Sequence, residues 1–276
     1  GVGQAWSFSC QKGASNICET APYQGKTLLE LWQEHQELFG HPNEQFPVII
    51  SLVGPEDDLS IQVHPDVKAA LKLGYQAGKN EAWYFIEAEP GAKIVYGHNA
   101  KDEADLTHYI KEEQWDKLIR HLEVHPDDFV YLPAGLLHAL KKGSVVYEIQ
   151  QATDVTFRYD YHRKDANGNE RELHLKEAIE CLSYDQKEME NKLTTVMTSL
   201  ENGEQTVFID NDSFTVTKLE LTGENHYYHD NYQLATVVRG SGTVDGVPIK
   251  VGDNFLIPQG NKIVFDGHMT IMMTTR

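Results

Sequence analysis

Apolar and polar positions along this chain change places on the short period of β structure. FPVIISLV (Phe46–Val53) is a continuous apolar run that predicts a buried strand, and LSIQVHP (Leu59–Pro65) predicts another. AWYFIEA and AKIVYG predict a strand pair around the turn signal Glu89-Pro90-Gly91. After an interruption the β pattern returns in DDFVYLP, LLHALKK, SVVYEIQQ and VTFRYDY, and from about Gln205 strands and turns run to the end. Helical spacing breaks through in a few places. KTLLELWQEHQELFG (Lys26–Gly40) ends on a glycine stop, and HPDVKAALKLG ends on Gly74. DEADLTHYIKE and EQWDKLIRHL predict two short helices across about 101–122, and HLKEAIECL predicts one more.

An internal repeat organises these elements. Asp128-Phe-Val-Tyr-Leu-Pro133-Ala-Gly135 matches Asp253-Asn-Phe-Leu-Ile-Pro258-Gln-Gly260 at a constant offset of 125 (253 minus 128). Two β units with short strands and Gly/Pro turns predict a mainly β protein of two small jelly-roll barrels with a few inserted helices. The expected division is 1–160 for a first domain with its helical insert at about 101–122. A helical connector at 161–204 and a second, degenerate domain at 205–276 complete it.

Composition narrows the picture. With 276 residues, 40% hydrophobic and 24% charged, the chain suits a globular protein with proper cores. A formal net charge of −18 opposes nucleic-acid and anionic-membrane binding, because no basic run supplies the attraction. No apolar run approaches membrane-spanning length, and the first residues do not read as a secretory leader. Cys10, Cys18 and Cys181 are odd in number and lack metal-type pairing, which fits thiols in a reducing cytoplasm. The start at Gly1, where a Met is usual, predicts that the chain begins partway into its gene product.

The candidate chemistry lies in the first unit. Gln62 and His64 are two apart in a strand-like run, so both leave one face. Glu81 sits in a second apolar run, and His138 follows a Pro-x-Gly turn in a third. Two imidazoles, a carboxylate and an amide oxygen form a mixed nitrogen/oxygen set for a divalent ion. Zinc stands first, with manganese, iron and cobalt compatible. Without a thiolate the set suits a site that keeps a position open. In the second unit the repeat puts Ile263 where the first has His138. His226 and His229 therefore read as surface or rim residues.

DDFVYLPAGLLHAL resembles the second motif of the cupin superfamily. SIQVHP, GKNEAWYF, YLPAGLLHAL and EIQQATDVTFRYDY, in that order and with PYQGKTLLELWQEH, resemble type I mannose-6-phosphate isomerases of the short bacterial form. The resemblance runs over almost the whole chain. It implies two cupin-type barrels, Zn2+ held by Gln62, His64, Glu81 and His138, and a phosphorylated sugar as substrate. Arg158 matches the family's active-site arginine. Glu148 and Asp154 match acidic residues of the sugar pocket, and Lys79 matches a lysine that faces substrate. Glu148 and Asp154, six apart, share a face if one extended strand holds both. Arg163, Lys164 and Arg171 are further candidates for phosphate. The chain departs from the family at Gln4, where Glu is usual in the G-E-x-W phrase, and at Lys142, where cupins commonly carry Asn.

The implied reaction interconverts mannose 6-phosphate and fructose 6-phosphate through a cis-enediol. Arg158 is the expected electrostatic stabiliser, and Glu148 or Asp154 the acid/base or hydroxyl-orienting group. Two other readings stay open from sequence: a metal-cupin oxygenase, and a non-catalytic sugar-binding cupin.

Overall fold

Among the described residues strand pairing gives three sheets, and the chain divides into two compact units. The computed structural model describes residues 2–40, 45–153, 155–160, 172–185, 190–191 and 193–276. In chain order the first elements are β1 (Val2–Phe8), α1 (Leu28–Glu34), β2 (Val48–Pro55), β3 (Ile61–Val63), α2 (Val67–Lys72), β4 (Glu81–Ala88) and β5 (Lys93–His98). There follow α3 (Glu103–Lys111), α4 (Trp115–Leu118), β6 (Ile119–Glu123), β7 (Phe129–Leu132), β8 (His138–Ala139), β9 (Ser144–Gln151), β10 (Phe157–Asp160) and α5 (Leu175–Cys181).

The first unit comprises residues 1–5 and 52–192. One sheet runs β1-β2-β9-β4-β7, of which Val2–Ala5 of β1 and Leu52–Pro55 of β2 count in this unit, and the other runs β10-β3-β8-β5-β6. Alternate side chains of both sheets meet in one interior of Trp83, Phe85, Ile94, Tyr96, Val130 and Val146, among others. The outer face of the second sheet carries Val63, Val95, Phe157 and Tyr159, and the helices cover it with Leu106, Leu118 and Ala178. That outer layer explains the apolar partners alternating with Gln62, His64 and Arg158 in the sequence.

Local chemistry sets the helix ends. Thr27 and Glu30 form a reciprocal capping box on α1. The Asp66 side chain accepts from Ala69 N at 2.6 Å to start α2, and Gly74 at φ 87° lies just past its end. The expected second helix of the insert is cut short. Ile119–Leu122, read as helical, lies in the edge strand β6 (Ile119–Glu123), whose Leu122 is opposite Ile94. Strand pairing that buries Leu122 outweighs the helical spacing of EQWDKLIRHL.

The second unit comprises residues 6–51 and 193–276. Its strands are β11 (Val196–Leu200), β12 (Gly203–Asp210), β13 (Thr215–Thr222), β14 (Asn225–Tyr228), β15 (Gln233–Val244), β16 (Val247–Lys250), β17 (Asn254–Ile257) and β18 (Lys262–Thr275). Their sheet runs β11-β12-β13-β18-β15-β16, with β14 on β18 and β17 on β15. This division differs from the expected 1–160, 161–204 and 205–276. Residues 6–51 belong with the C-terminal strands: Trp32 and Phe39 stack edge-on against Tyr232, and Gln259 N donates to Leu38 O at 2.9 Å. The expected connector is not a separate helical piece, since it holds α5 of the first unit and β11 of the second. Cys10, Cys18 and Cys181 are free thiols. Among the described residues no helix is long and apolar enough to cross a membrane.

Candidate metal centre

Three strands from two sheets deliver three ligand groups to one point. His64 follows the end of β3, Glu81 opens β4 and His138 opens β8. One ligand atom from each lies within 4.8 Å of the others. The side chains are almost completely enclosed, at 2% exposure for His64 and Glu81 and 1% for His138. His64 Nε2 is 3.2 Å from Glu81 Oε1, and His138 Nε2 is 3.4 Å from Glu81 Oε2.

Hydrogen bonds at the far side of each ring fix what the near side offers. His64 Nδ1 lies 2.8 Å from Val155 O, and His138 Nδ1 lies 2.9 Å from Leu136 O. A carbonyl only accepts, so each Nδ1 carries the proton and each Nε2 turns a lone pair inward. His64 Nε2 and Glu81 Oε2 are buried and lack an aligned hydrogen-bond partner. Buried ligand atoms converging on a common centre, two of them without an aligned hydrogen-bond partner, are what a cation requires.

The electrostatics agree. Burial pushes the His64 imidazolium down to about 4, and Glu81 only partly offsets this, so the ring is neutral near pH 7. Burial pushes the Glu81 carboxyl up, but His64, Lys79 and His138 outweigh it and hold the group well below its usual range. A neutral His64 imidazole beside an ionised Glu81 carboxylate has the protonation states of metal ligands. Lys79 supplies the resident cation, with Nζ 3.0 Å from Glu81 Oε1. It is a buried residue, not a solvated loop lysine. Gly78 permits this placement: a Cβ there would lie 2.6 Å from Val67 N, and Lys79 N donates to Pro65 O at 3.0 Å.

Register places the other predicted groups. Gln62 lies opposite His138 on one side and Arg158 on the other, and His138 lies opposite Tyr96. Directly opposed residues share a face, so Arg158, Gln62 and His138 form one inward row. Gln62 Nε2 is 3.4 Å from His138 Nε2, so the amide stands at the ligand cluster. In the facing sheet Glu81 lies opposite Gln150, and Trp83 opposite Glu148. Trp83 Nε1 donates to Glu148 Oε1 at 3.0 Å. Glu148 lies on β9, which ends at Gln151 with a bend after it, so the expected shared face for Glu148 and Asp154 falls partly outside the described residues. Asp154, Arg163, Lys164 and Arg171 lie outside the described residues.

The second unit repeats this frame with only one of the three clustered side chains kept. β17 stands 125 positions after β7, and Asp253 accepts from Lys250 N as Asp128 does from His125 N. Ile257 faces Gln233 as Leu132 faces Glu81, and Tyr227 faces Ile263 as Gln62 faces His138. Gly260 N donates to His229 O, and Gly135 N to His64 O. The counterparts of His64, Glu81 and His138 are therefore His229, Gln233 and Ile263. His226 is exposed, as expected. His229 is more than a rim residue: its Nδ1 lies 2.9 Å from Gln233 Nε2.

Sequence reading missed Trp83, Gln150 and the carbonyls of Val155 and Leu136. The aromatic in GKNEAWYF was a visible signal for Trp83. Nothing in side-chain identity marks a backbone acceptor. The His229 match was hidden because the offset is not constant: it is 165 from His64 to His229, 152 from Glu81 to Gln233 and 125 from Leu132 to Ile257. α2 and the α3–α4 insert lengthen the first unit between those points.

Comparison with known proteins agrees with this geometry. The family model for the catalytic domain of type I phosphomannose isomerase matches residues 1–90. Mannose-6-phosphate isomerase ManA of Bacillus subtilis is 37% identical over 94% of this chain and 84% of its own length. The mannose-6-phosphate isomerase of Streptococcus mutans is 35% identical over 98% of this chain and 87% of its own length. The crystal structure of the mannose 6-phosphate isomerase from Bacillus subtilis superposes with a TM-score of 0.94 at 34% identity, covering 99% of this chain and 90% of that one.

Proposed function

The chain belongs to the type I phosphomannose isomerases, cupin-type enzymes that interconvert mannose 6-phosphate and fructose 6-phosphate, and we propose that its first unit carries this reaction at the His64–Glu81–His138 cluster. Convergence of these three enclosed side chains, with both imidazoles tied back through Nδ1, is the observation that supports the site. His64, Glu81 and His138 are assigned as ligands of a divalent metal, with Gln62 as the fourth. Zinc suits two imidazoles, a carboxylate and an amide oxygen. When bound, the ion supplies Lewis-acid polarisation and a template for the sugar oxygens.

The reaction moves a proton between C2 and C1 while the carbonyl shifts the other way, through a cis-enediol. Arg158, in the inward row beside Gln62, is assigned to stabilise the developing oxyanion. Glu148, on the facing sheet and held by Trp83, is assigned to hand the proton between carbons or orient a hydroxyl. Lys79 orients Glu81 through its ammonium, and its further hydrogens are donors for the sugar phosphate. Asp154 is kept as a sugar-pocket residue on the family resemblance. The free thiols fit a cytoplasmic enzyme.

The test is a coupled assay of fructose 6-phosphate conversion on protein stripped by chelator and then resupplied with single metals. Activity that disappears on stripping and returns with one equivalent of zinc supports the reading. Full turnover of metal-free protein would exclude it.

A further inference from the structure

We infer that Trp83 is a positioning residue that ties the carboxylate of Glu148 to the metal-ligand cluster. This rests on the proposed role of Glu148 and goes beyond it by naming what sets its place. Trp83 is buried, and its two faces of chemistry point to two partners. Its Nε1–H donates to Glu148 Oε1 at 3.0 Å, and its ring meets the His138 ring edge-on at a centroid distance of 5.7 Å. One rigid side chain therefore touches both a proposed ligand and the proposed proton-handling group. Glu148 Oε2 stands 3.5 Å from Gln150 Nε2, whose residue lies opposite Glu81. The donor at Oε1 fixes which carboxylate edge turns toward the cluster.

The second unit supplies an independent observation. Ala235 faces Met273 at the positions where Trp83 faces Glu148. The indole–carboxylate pair is absent in the copy whose ligand positions hold Gln233 and Ile263. A Trp kept only to fill a barrel would have no reason to vanish together with the carboxylate and the second imidazole, whereas a Trp that serves the site would.

The experiment is a double-mutant cycle on the metal-loaded enzyme, with W83F, E148Q and the double variant. W83F keeps an aromatic ring against His138 and removes the donor. Metal content and KM are expected to stay close to wild type while kcat falls about ten- to a hundredfold, the cost of misplacing a reacting group by about 1 Å. In the E148Q background W83F is expected to cost nothing further, because the residue acts through the carboxylate. An E148Q enzyme with wild-type kcat would remove the role of Glu148. Full kcat in W83F beside an impaired E148Q would overturn the positioning role alone, as would additive losses or loss of metal from W83F. Should W83F fail to fold, E148D draws the carboxylate away from the indole without touching the barrel filling. It is expected to lose kcat with metal retained, and an unimpaired E148D would equally overturn the inference.

Discussion

The two β units share a strand path and a turn, yet the first gathers two imidazoles and a carboxylate at one point and the second keeps only one imidazole at the matched positions. At matched positions the first has His64, Glu81 and His138, and the second has His229, Gln233 and Ile263. The first places Trp83 against Glu148 where the second places Ala235 against Met273. The second interior is closed by apolar contact of Ile263 with neighbours such as Ile257, Phe265 and Met273. The frame and the site are thus separable: hydrogen-bond register fixes the strands, and a handful of inward side chains decides whether the interior is a dry core or a charged pocket. Burying a carboxylate costs several kcal/mol unless partners repay it. Lys79 offsets that cost in the first unit, as a metal ion would further when bound, and the neutral Gln233 avoids it in the second.

The sharpest way to break the comparison is to empty the first site. His138→Ala should remove bound metal and activity together. Loss of Lewis-acid stabilisation worth several kcal/mol corresponds to about a thousandfold or more in kcat/KM. Metal analysis of the purified variant beside the coupled assay checks this, and an active metal-free variant would sink the site. Arg158→Ala comes next. It should keep metal and lose about a hundred- to a thousandfold in kcat, the scale of one preorganised donor to an oxyanion. Metal lost with it would reassign Arg158 to structure.

How much of this was legible beforehand depended on the kind of signal. Strands such as the one begun in Phe46–Val53 and the residues of the His64–Glu81–His138 cluster were readable because side-chain identity and period carry them. Ile119–Leu122 was misread, because a two-sided apolar pattern does not say whether a helix or an edge partner will bury Leu122. The reach of residues 6–51 to the C-terminal strands was illegible too, since contacts of Trp32 with Tyr232 leave no local trace. The repeat around Asp128 and Asp253 survived in sequence because its turn needs those residues. The ligand equivalences survived only in register.

A smaller effect tests the charge state of the first site. The folded pKa of His64 is lowered to about 4, below its ordinary value. Between those two values the unfolded chain binds the proton that the folded chain refuses, so metal-free protein loses stability as pH falls. The loss amounts to up to about 3 kcal/mol for a group shifted by two to three units. Glu81 acts in the same direction, since a depressed carboxyl contributes stability that disappears as it is protonated. Urea titrations of the metal-free protein between pH 7 and pH 4 should show this slope, and His64→Gln should flatten it. An unchanged slope would mean that the ring is not buried neutral.

The smallest effect on activity is also the most direct test of equivalence. Gln233→Glu with Ile263→His writes the first unit's ligand set onto the second, with His229 already in place. Gln233 Nε2 now donates to His229 Nδ1, a bond that a carboxylate cannot make. The introduced carboxylate and the His229 lone pair would then both be acceptors, and an acceptor pair is satisfied by a proton or by a cation. A histidine in place of Ile263 supplies the third donor and tips that balance toward the cation. The double variant should take up a second zinc per chain, read by metal analysis and calorimetry, with mannose 6-phosphate turnover unchanged. Binding weaker than at the first site is expected, because the carbonyl beside the His229 ring, Asn231 O, lies 3.2 Å from the same Nδ1 that faces Gln233, whereas at His64 the carbonyl holds the nitrogen on the far side. A variant that folds but never exceeds one metal per chain would show that the shared register does not carry shared side-chain geometry.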